Sequence, residues 1–230
     1  MDKLEKRYGG KGTLKPCCLG KDDLLKLNEI IQETFTPTEI DKYFNISTTI
    51  GGIRVFSGSI EAFLQQKGLP DEHNDLAFWI ESWDKMGSFD KNILLDFSKY
   101  SIQLSVEGVD QAWVHDKYAK IVNFLKAKTV WYWPLITLER FIIFVVTLIL
   151  ISNIITSFKI KGGAYYIDEI VLLGVWIFLV FYDTRKIWPH ANIRLQKVTS
   201  IFNKANIIAV ILIMILVATL MVGTILPLLK

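Results

Sequence analysis

Residues 76–106 read LAFWIESWDKMGSFDKNILLDFSKYSIQLSV and contain three runs in which every second residue is apolar. The apolar positions are Leu76, Phe78 and Ile80, then Ile93, Leu95 and Phe97, and finally Ile102, Leu104 and Val106. A period of two is typical of strands that bury one face. Because the connections between the runs are short, they predict an antiparallel meander.

Helices and further strands are predicted on both sides of this meander. Asp110 is a good N-cap for a helix with an apolar stripe at Val114, Tyr118, Ile121 and Leu125. A second helix is expected from Asp22 to about Phe35. The segment 47–57 is β-branched with a Gly-Gly break, which leaves one bent strand or a hairpin open, and Ser59 caps a short helix over 60–66. Together these elements predict a cytosolic α+β domain with a mostly antiparallel sheet at 21–128.

Residues 1–20 are rich in glycine and basic residues. Their GGKGTLK segment lacks the spacing of a phosphate-binding loop and follows no strand-like run. The composition therefore favours a flexible basic tail. The two cysteines of the chain are the adjacent Cys17 and Cys18, which excludes a disulfide framework.

Charge and hydropathy change at Lys128. Up to that residue the chain has 17 basic and 19 acidic residues, and after it 9 basic and 4 acidic ones. The later part contains long uncharged runs at 141–158 and 205–229 and a mostly apolar run at 165–182. Runs of this length are typical of transmembrane helices. The sequence thus predicts an all-α transmembrane domain at 129–230 with three helices at about 138–158, 165–182 and 205–229.

The loops suggest an orientation in the membrane. The connection 183–204 carries five basic residues, so the positive-inside rule places it in the cytoplasm together with the N-terminal domain. Three spans then leave the C-terminus outside an inner (plasma) membrane. The same connection also has the composition of an interfacial helix on anionic headgroups.

Aromatic and polar residues near the predicted spans suggest specific roles. Trp131, Tyr132, Trp133 and Trp188 lie where an aromatic belt at the membrane interface is expected. Asn153 lies deep in the first predicted span, where a hydrogen bond to another helix is the favoured interpretation.

The N-terminal domain carries no recognisable catalytic motif. No GxSxG, HExxH or DxDG pattern occurs, and His73 and His115 lack the partners of a metal signature. These observations predict a protein that is not an enzyme and has no metal, cofactor or nucleic-acid partner. Arg54, Trp79 and Trp83 lie opposite the core positions of their strands and are candidates for binding a ligand or partner, unless a helix covers that face.

From Ser101 the segment SIQLSVEGVDQAWVHDKYAKIVNFLK resembles a pattern of small bacterial membrane proteins, in which a strand, Gly-x-Asp and Trp-Val precede an amphipathic helix. The whole layout is similar to membrane effectors of bacterial anti-phage defence systems. That similarity implies an effector that oligomerises on a cytosolic signal and disrupts the membrane.

Two functional hypotheses are favoured over a third, a membrane enzyme, because the spacing of acids, bases and nucleophiles shows no catalytic set. In the first, a membrane-anchored sensor or effector binds a cytosolic protein or small ligand and responds through its helices, as a homo-oligomer in contact with the bilayer. In the second, a constitutive membrane scaffold recruits a cytosolic protein without gating.

Overall fold

A computed structural model describes residues 7–84, 86–131, 133–134, 147 and 189–195. The chain divides into two compact units. The first consists of Met1–Trp133 and Pro189–Lys197, and the second of Pro134–Trp188 and Val198–Lys230. The first unit therefore extends beyond the predicted 21–128 domain at both ends. It also includes Pro189–Lys197, which comes after Pro134–Trp188 of the second unit in the sequence.

The described elements all belong to the first unit. In chain order they are β1 (Tyr8–Leu14), β2 (Cys17–Gly20), α1 (Lys21–Gln32), α2 (Pro37–Tyr43), β3 (Asn45–Ile50), β4 (Ile53–Ser57), α3 (Ile60–Leu64), β5 (Glu72–His73), β6 (Leu76–Trp83), β7 (Phe89–Phe97), β8 (Ile102–Gly108), α4 (Gln111–Lys126) and β9 (Ala191–Arg194).

A six-stranded sheet forms the centre of the unit, with strand order β1-β8-β7-β6-β3-β4. Every neighbouring pair is antiparallel. The predicted α+β domain with a mostly antiparallel sheet is confirmed, and the three alternating runs form the meander β6-β7-β8.

The core lies between this sheet and the helices. The alternating apolar side chains of β6, β7 and β8 are almost completely buried, and they pack with apolar residues of α1, α3 and α4. Lys117 of α4 is also fully buried, where its Nζ donates to the Ile30 carbonyl (2.8 Å) and pairs with Glu33 (3.2 Å). These contacts attach α4 to the end of α1.

Gly51 and Gly52 determine the connection between β3 and β4. Both have positive φ, 58° and 84°, which suits the two-residue turn that matches the twist of a hairpin. Ile50 pairs directly with Ile53 across this turn. Of the two alternatives, a bent strand or a hairpin, the structure contains the hairpin.

Both predicted helix caps are present. The Asp110 carboxylate accepts hydrogen bonds from the Ala112 and Trp113 amides (2.8 and 3.4 Å), and the Ser59 hydroxyl accepts one from the Ala62 amide (3.1 Å). Each cap satisfies amides that have no partner inside the helix.

Replacing Asp110 by alanine is expected to lower the free energy of unfolding by about 1 kcal/mol, because the first amides of α4 lose their acceptor. Urea denaturation followed by circular dichroism measures the change. Asp116→Ala on the exposed face of α4 is the matched control, because its ion pair with Lys120 (3.2 Å) is exposed to water and contributes little to stability. Equal effects of the two substitutions would contradict the capping role.

The flexible basic tail predicted at 1–20 is wrong over residues 8–14 and 17–20, which form the strands β1 and β2. β1 pairs with β8 over seven residue pairs, from Tyr8↔Gly108 to Leu14↔Ile102. Gly10 and Gly12 lie beneath the ring of Tyr118 in α4: a Cβ on Gly10 would lie 3.0 Å from Tyr118 Cδ2. These glycines therefore allow the helix to approach the strand closely.

A second sheet, with strand order β2-β9-β5, joins distant parts of the chain. β9 runs parallel to β2 and antiparallel to β5. Next to it, the Cys17 amide donates to the His190 carbonyl (2.9 Å) and the Val130 amide to the Pro16 carbonyl (3.0 Å). Residues 16–20 thus contact both segments of the first unit: Val130 near the end of the first segment and His190 near the start of the second. The suggested interfacial helix is wrong at residues 191–194, which form a strand.

The predicted all-α transmembrane region is also corrected. Among the residues that the structure describes, no helix is long and apolar enough to cross a membrane. The longest described helix, α4, has 16 residues and an amphipathic pattern. The spans predicted at 138–158, 165–182 and 205–229 lie outside the described residues, apart from Thr147. Apolar runs establish hydropathy, and hydropathy alone does not establish a spanning helix.

Candidate binding face

The side of the six-stranded sheet that points away from the core is here called the open face. Its side chains alternate with the buried ones along each strand, as the pleat requires. The side chains of Trp79 and Leu94 are 45% and 43% exposed, and these residues are register partners on β6 and β7. No described helix therefore covers the centre of this face.

Strand register arranges the open face in rows that cross the sheet. One row runs from β1 to β4 through Thr13, Gln103, Asp96, Ala77, Ser47 and Phe56. The next row runs through Lys11, Ser105, Leu94, Trp79 and Asn45. Side chains from all six strands thus form one continuous surface.

A groove of about 830 Å³ lies on this surface. Small side chains, such as Ala77, form part of its lining. Charged side chains line it at both ends, with Lys11 and Glu107 on β1 and β8 and Arg54 on β4. The groove therefore offers hydrogen-bonding and charged groups beside apolar surface, to which Ala77 and Leu94 contribute.

Asp96, Asp75 and Arg54 form the more acidic end of the groove. Partial burial and the neighbouring Asp75 carboxylate raise the pKa of Asp96, while the Arg54 guanidinium acts in the opposite direction. Arg54 donates from Nε and Nη2 to the Ser47 hydroxyl (3.2 and 3.0 Å), which fixes the guanidinium over the sheet. An incoming cation at this end would relieve the repulsion between the two carboxylates.

At the opposite end Lys11 and Glu107 form an ion pair of 2.7 Å across β1 and β8. The hydrogen bond from Lys11 lowers the pKa of Glu107, and the hydroxyl of Ser105 contributes another hydrogen bond to the same carboxylate (3.2 Å). The charges at this end satisfy each other, so the acidic end has the stronger unbalanced field.

No family model, curated protein or solved structure matches this chain. The candidate site therefore rests on its own geometry.

The structure brings together only part of the predicted binding set. Arg54 lines the groove, and Trp79 lies on the same face in the adjoining row. Trp83 lies at the far end of β6, beyond a register shift, where it packs edge-to-face against Phe89 (6.1 Å between ring centroids). It is 42% exposed but does not line the groove.

Several residues of the groove were not among the predicted site residues. Asp96 and Gln103 occupy the positions between the apolar residues of two predicted strands. The alternation of apolar and polar residues could therefore have identified them as pointing away from the core. Lys11 and Thr13 fall in the segment predicted as a flexible tail, and only the pairing of β1 with β8 places them on this face.

The other predicted site residues lie elsewhere or outside the description. Trp131 is 66% exposed, and Lys15 Nζ lies 5.8 Å from the centre of the Trp133 ring. Tyr132, Trp188 and Asn153 lie outside the described residues. A role for any of these residues at a membrane stays a prediction.

The cysteines do not form a reactive pair in this fold. They are adjacent in β2, so Cys17 points into the core and Cys18 to the opposite face. Burial raises the pKa of Cys17 to about 12, which keeps its thiol protonated. Within the described part of the chain, no group of three or more His, Cys, Asp and Glu side chains could hold a metal ion.

Proposed function

We propose that the first unit is a non-enzymatic binding domain that recognises a partner polypeptide on the open face of its six-stranded sheet. The observation that carries this proposal is the groove of about 830 Å³, which has charged ends, the exposed Leu94 in its lining and the exposed Trp79 beside Leu94 on the same face. Exposed tryptophan and arginine side chains are enriched among the residues that dominate protein interfaces.

The dimensions of the surface favour a polypeptide over a small molecule. The face spans six strands, and five strand spacings of roughly 4.8 Å correspond to about 24 Å. Small-molecule sites are instead concave pockets that enclose most of the ligand and are lined mainly by apolar side chains. A partner chain with a cationic residue opposite Asp75 and Asp96 and an anionic one near Arg54 fits the charges.

The composition of the groove supports binding rather than catalysis. Among its described lining residues there is neither a cysteine nor a histidine, and its charged groups suit ion pairs and hydrogen bonds with a partner. The signal-triggered sensor and the constitutive scaffold both require such a binding domain. They differ in whether the partner is bound before a signal arrives.

Site-specific photo-crosslinking in cells that naturally produce the chain tests the proposal. A benzophenone amino acid at Leu94 is expected to give an adduct with one defined polypeptide. The same probe at His115, which is exposed on α4, is the matched control and is expected to give none. Arg54→Glu in the Leu94 probe chain is expected to reduce the adduct at least about fivefold, because it places a carboxylate where the partner's anionic residue would meet the guanidinium.

Adducts of equal yield from both positions, or an adduct at Leu94 that is insensitive to Arg54→Glu, would contradict the proposal. Circular dichroism of each variant establishes that it is folded. The time at which the adduct forms then separates the two hypotheses, since a scaffold gives it at all times and a sensor only after the signal.

A further inference from the structure

The small sheet contains a histidine in an environment that does not suit a charged ring. His73 lies in the two-residue strand β5 and is the register partner of Ile193 in β9. Its ring centroid is 6.0 Å from that of Phe63 in an edge-to-face contact. Both ring nitrogens are buried, and neither makes a hydrogen bond of normal geometry with a described residue.

Few charged groups act on this ring. Phe63 of α3 and Ile193 of β9 contribute apolar surfaces. On the opposite face of the sheet Glu72 and Arg194 pair with each other (3.2 Å). Asp75 and the Pro70 carbonyl favour the charged ring, but desolvation outweighs them and lowers the pKa of His73 below its ordinary value of 6.5.

We propose that His73 is a pH-sensitive latch of the small sheet, and that its protonation opens the pairing of β5 with β9. A protonated imidazole has two N–H donors and a charge, which need water or acceptors. β5 is an edge strand with only two residue pairs to β9, so its release is the shortest way to expose the ring. When β5 separates from β9, Ile193 becomes exposed to water and the Glu72–Arg194 ion pair breaks.

The sign of the pH dependence follows from proton binding. The closed sheet binds fewer protons than the open one, because burial disfavours the charged ring. The closed form is therefore fully favoured above about pH 6.5 and loses stability as the pH falls below that value. The population of the open form therefore rises as the pH falls from about 7.5 to about 5.5, by at most about tenfold for an open-state pKa near 6.5.

Separation of β5 from β9 weakens the contacts that hold residues 189–195 in the first unit. β9 is held by β2 on one side and by β5 on the other, and the Leu195 amide donates to the Asp71 carbonyl next to β5 (2.9 Å). Opening at β5 therefore loosens one of the two supports of this returning segment. The inference does not depend on the proposed partner at the open face.

Hydrogen–deuterium exchange of the full chain tests the latch. After correction for the intrinsic pH dependence of exchange, segments 70–75 and 189–195 are expected to open more often at about pH 5.5 than at about pH 7.5, by at most about tenfold. Segment 93–97 of β7 is the internal control and is expected to show no such rise. His73→Phe keeps the aromatic contact and is expected to abolish the pH dependence.

Two further variants make the result specific. His190→Asn is expected to retain the pH dependence. It removes the histidine whose carbonyl accepts from the Cys17 amide of β2, and it leaves His73 in place. His73→Gln replaces His73→Phe if the latter does not fold. Three results would overturn the proposal: the wild-type chain shows no rise in opening at low pH, the rise persists without His73, or the rise disappears in His190→Asn.

Discussion

Replacing Ile193 by aspartate is expected to lower the free energy of unfolding of the first unit by about 4 kcal/mol. The side chain is 1% exposed on the inner face of the small sheet, next to Leu19 of β2 in the register. The substitution removes apolar burial and places a carboxylate in the hydrophobic core, with the His73 ring as its cross-strand neighbour. Urea denaturation of the full chain, followed by circular dichroism, measures the effect.

Asn192→Asp is the matched control for this experiment. Asn192 neighbours Ile193 in β9 but lies on the outer face of the sheet, so the same introduced group is expected to cost about 0.5 kcal/mol or less. Equal effects of the two substitutions, or a negligible effect of Ile193→Asp, would show that β9 does not contribute to the core of the first unit.

Gly10→Val is expected to cost about 3 kcal/mol, because the new side chain meets the ring of Tyr118. The first added carbon alone would lie 3.0 Å from Tyr118 Cδ2 and 3.3 Å from Cγ, so either the ring or the strand must shift. Displacement of β1 also moves Lys11 and Thr13, which line the groove. Hydrogen exchange of residues 8–14 measures the loss of strand pairing, and urea denaturation measures the cost.

Gly9→Val tests the same strand one residue earlier. A Cβ there would make only an ordinary contact, 3.6 Å from Glu107 Cγ, and valine is favoured in strands. The expected change in stability is within about 0.5 kcal/mol. If Gly10→Val were tolerated as well as Gly9→Val, the close packing of α4 on β1 would be refuted.

Local sequence signals were sufficient for the centre of the fold. Alternation identified β6, β7 and β8, and capping residues identified the starts of α3 and α4. β1 was missed because glycine is usually unfavourable in strands, and here the approach of Tyr118 requires it. β9 was missed because its pairing with β2 depends on residues more than 170 positions away in the chain, and such contacts have no local signature.

The binding face was predicted only in part, because its outline depends on strand order, which has no local signature in the sequence. Strand alternation was enough to place Arg54 and Trp79 away from the core, but it could not show which strands are neighbours. The order β1-β8-β7-β6-β3-β4 puts Thr13 and Gln103 in the same row as Asp96. Trp83 lies at the far end of β6, where it contacts Phe89 and does not line the groove. Membrane attachment, self-association and a role in anti-phage defence stay predictions.

The measurement that tests the proposed binding face most directly is the accessibility of a single thiol on it. In a Cys18→Ser chain, Gln103→Cys places a thiol beside Asp96 in the same row of the open face, while Cys17 stays buried. Asp116→Cys on α4 is the control on the opposite side. A membrane-permeant maleimide is expected to label both positions rapidly in the purified protein and to label position 103 at least about fivefold more slowly in cells, relative to position 116. Equal relative labelling in cells and in the purified protein would contradict an occupied open face.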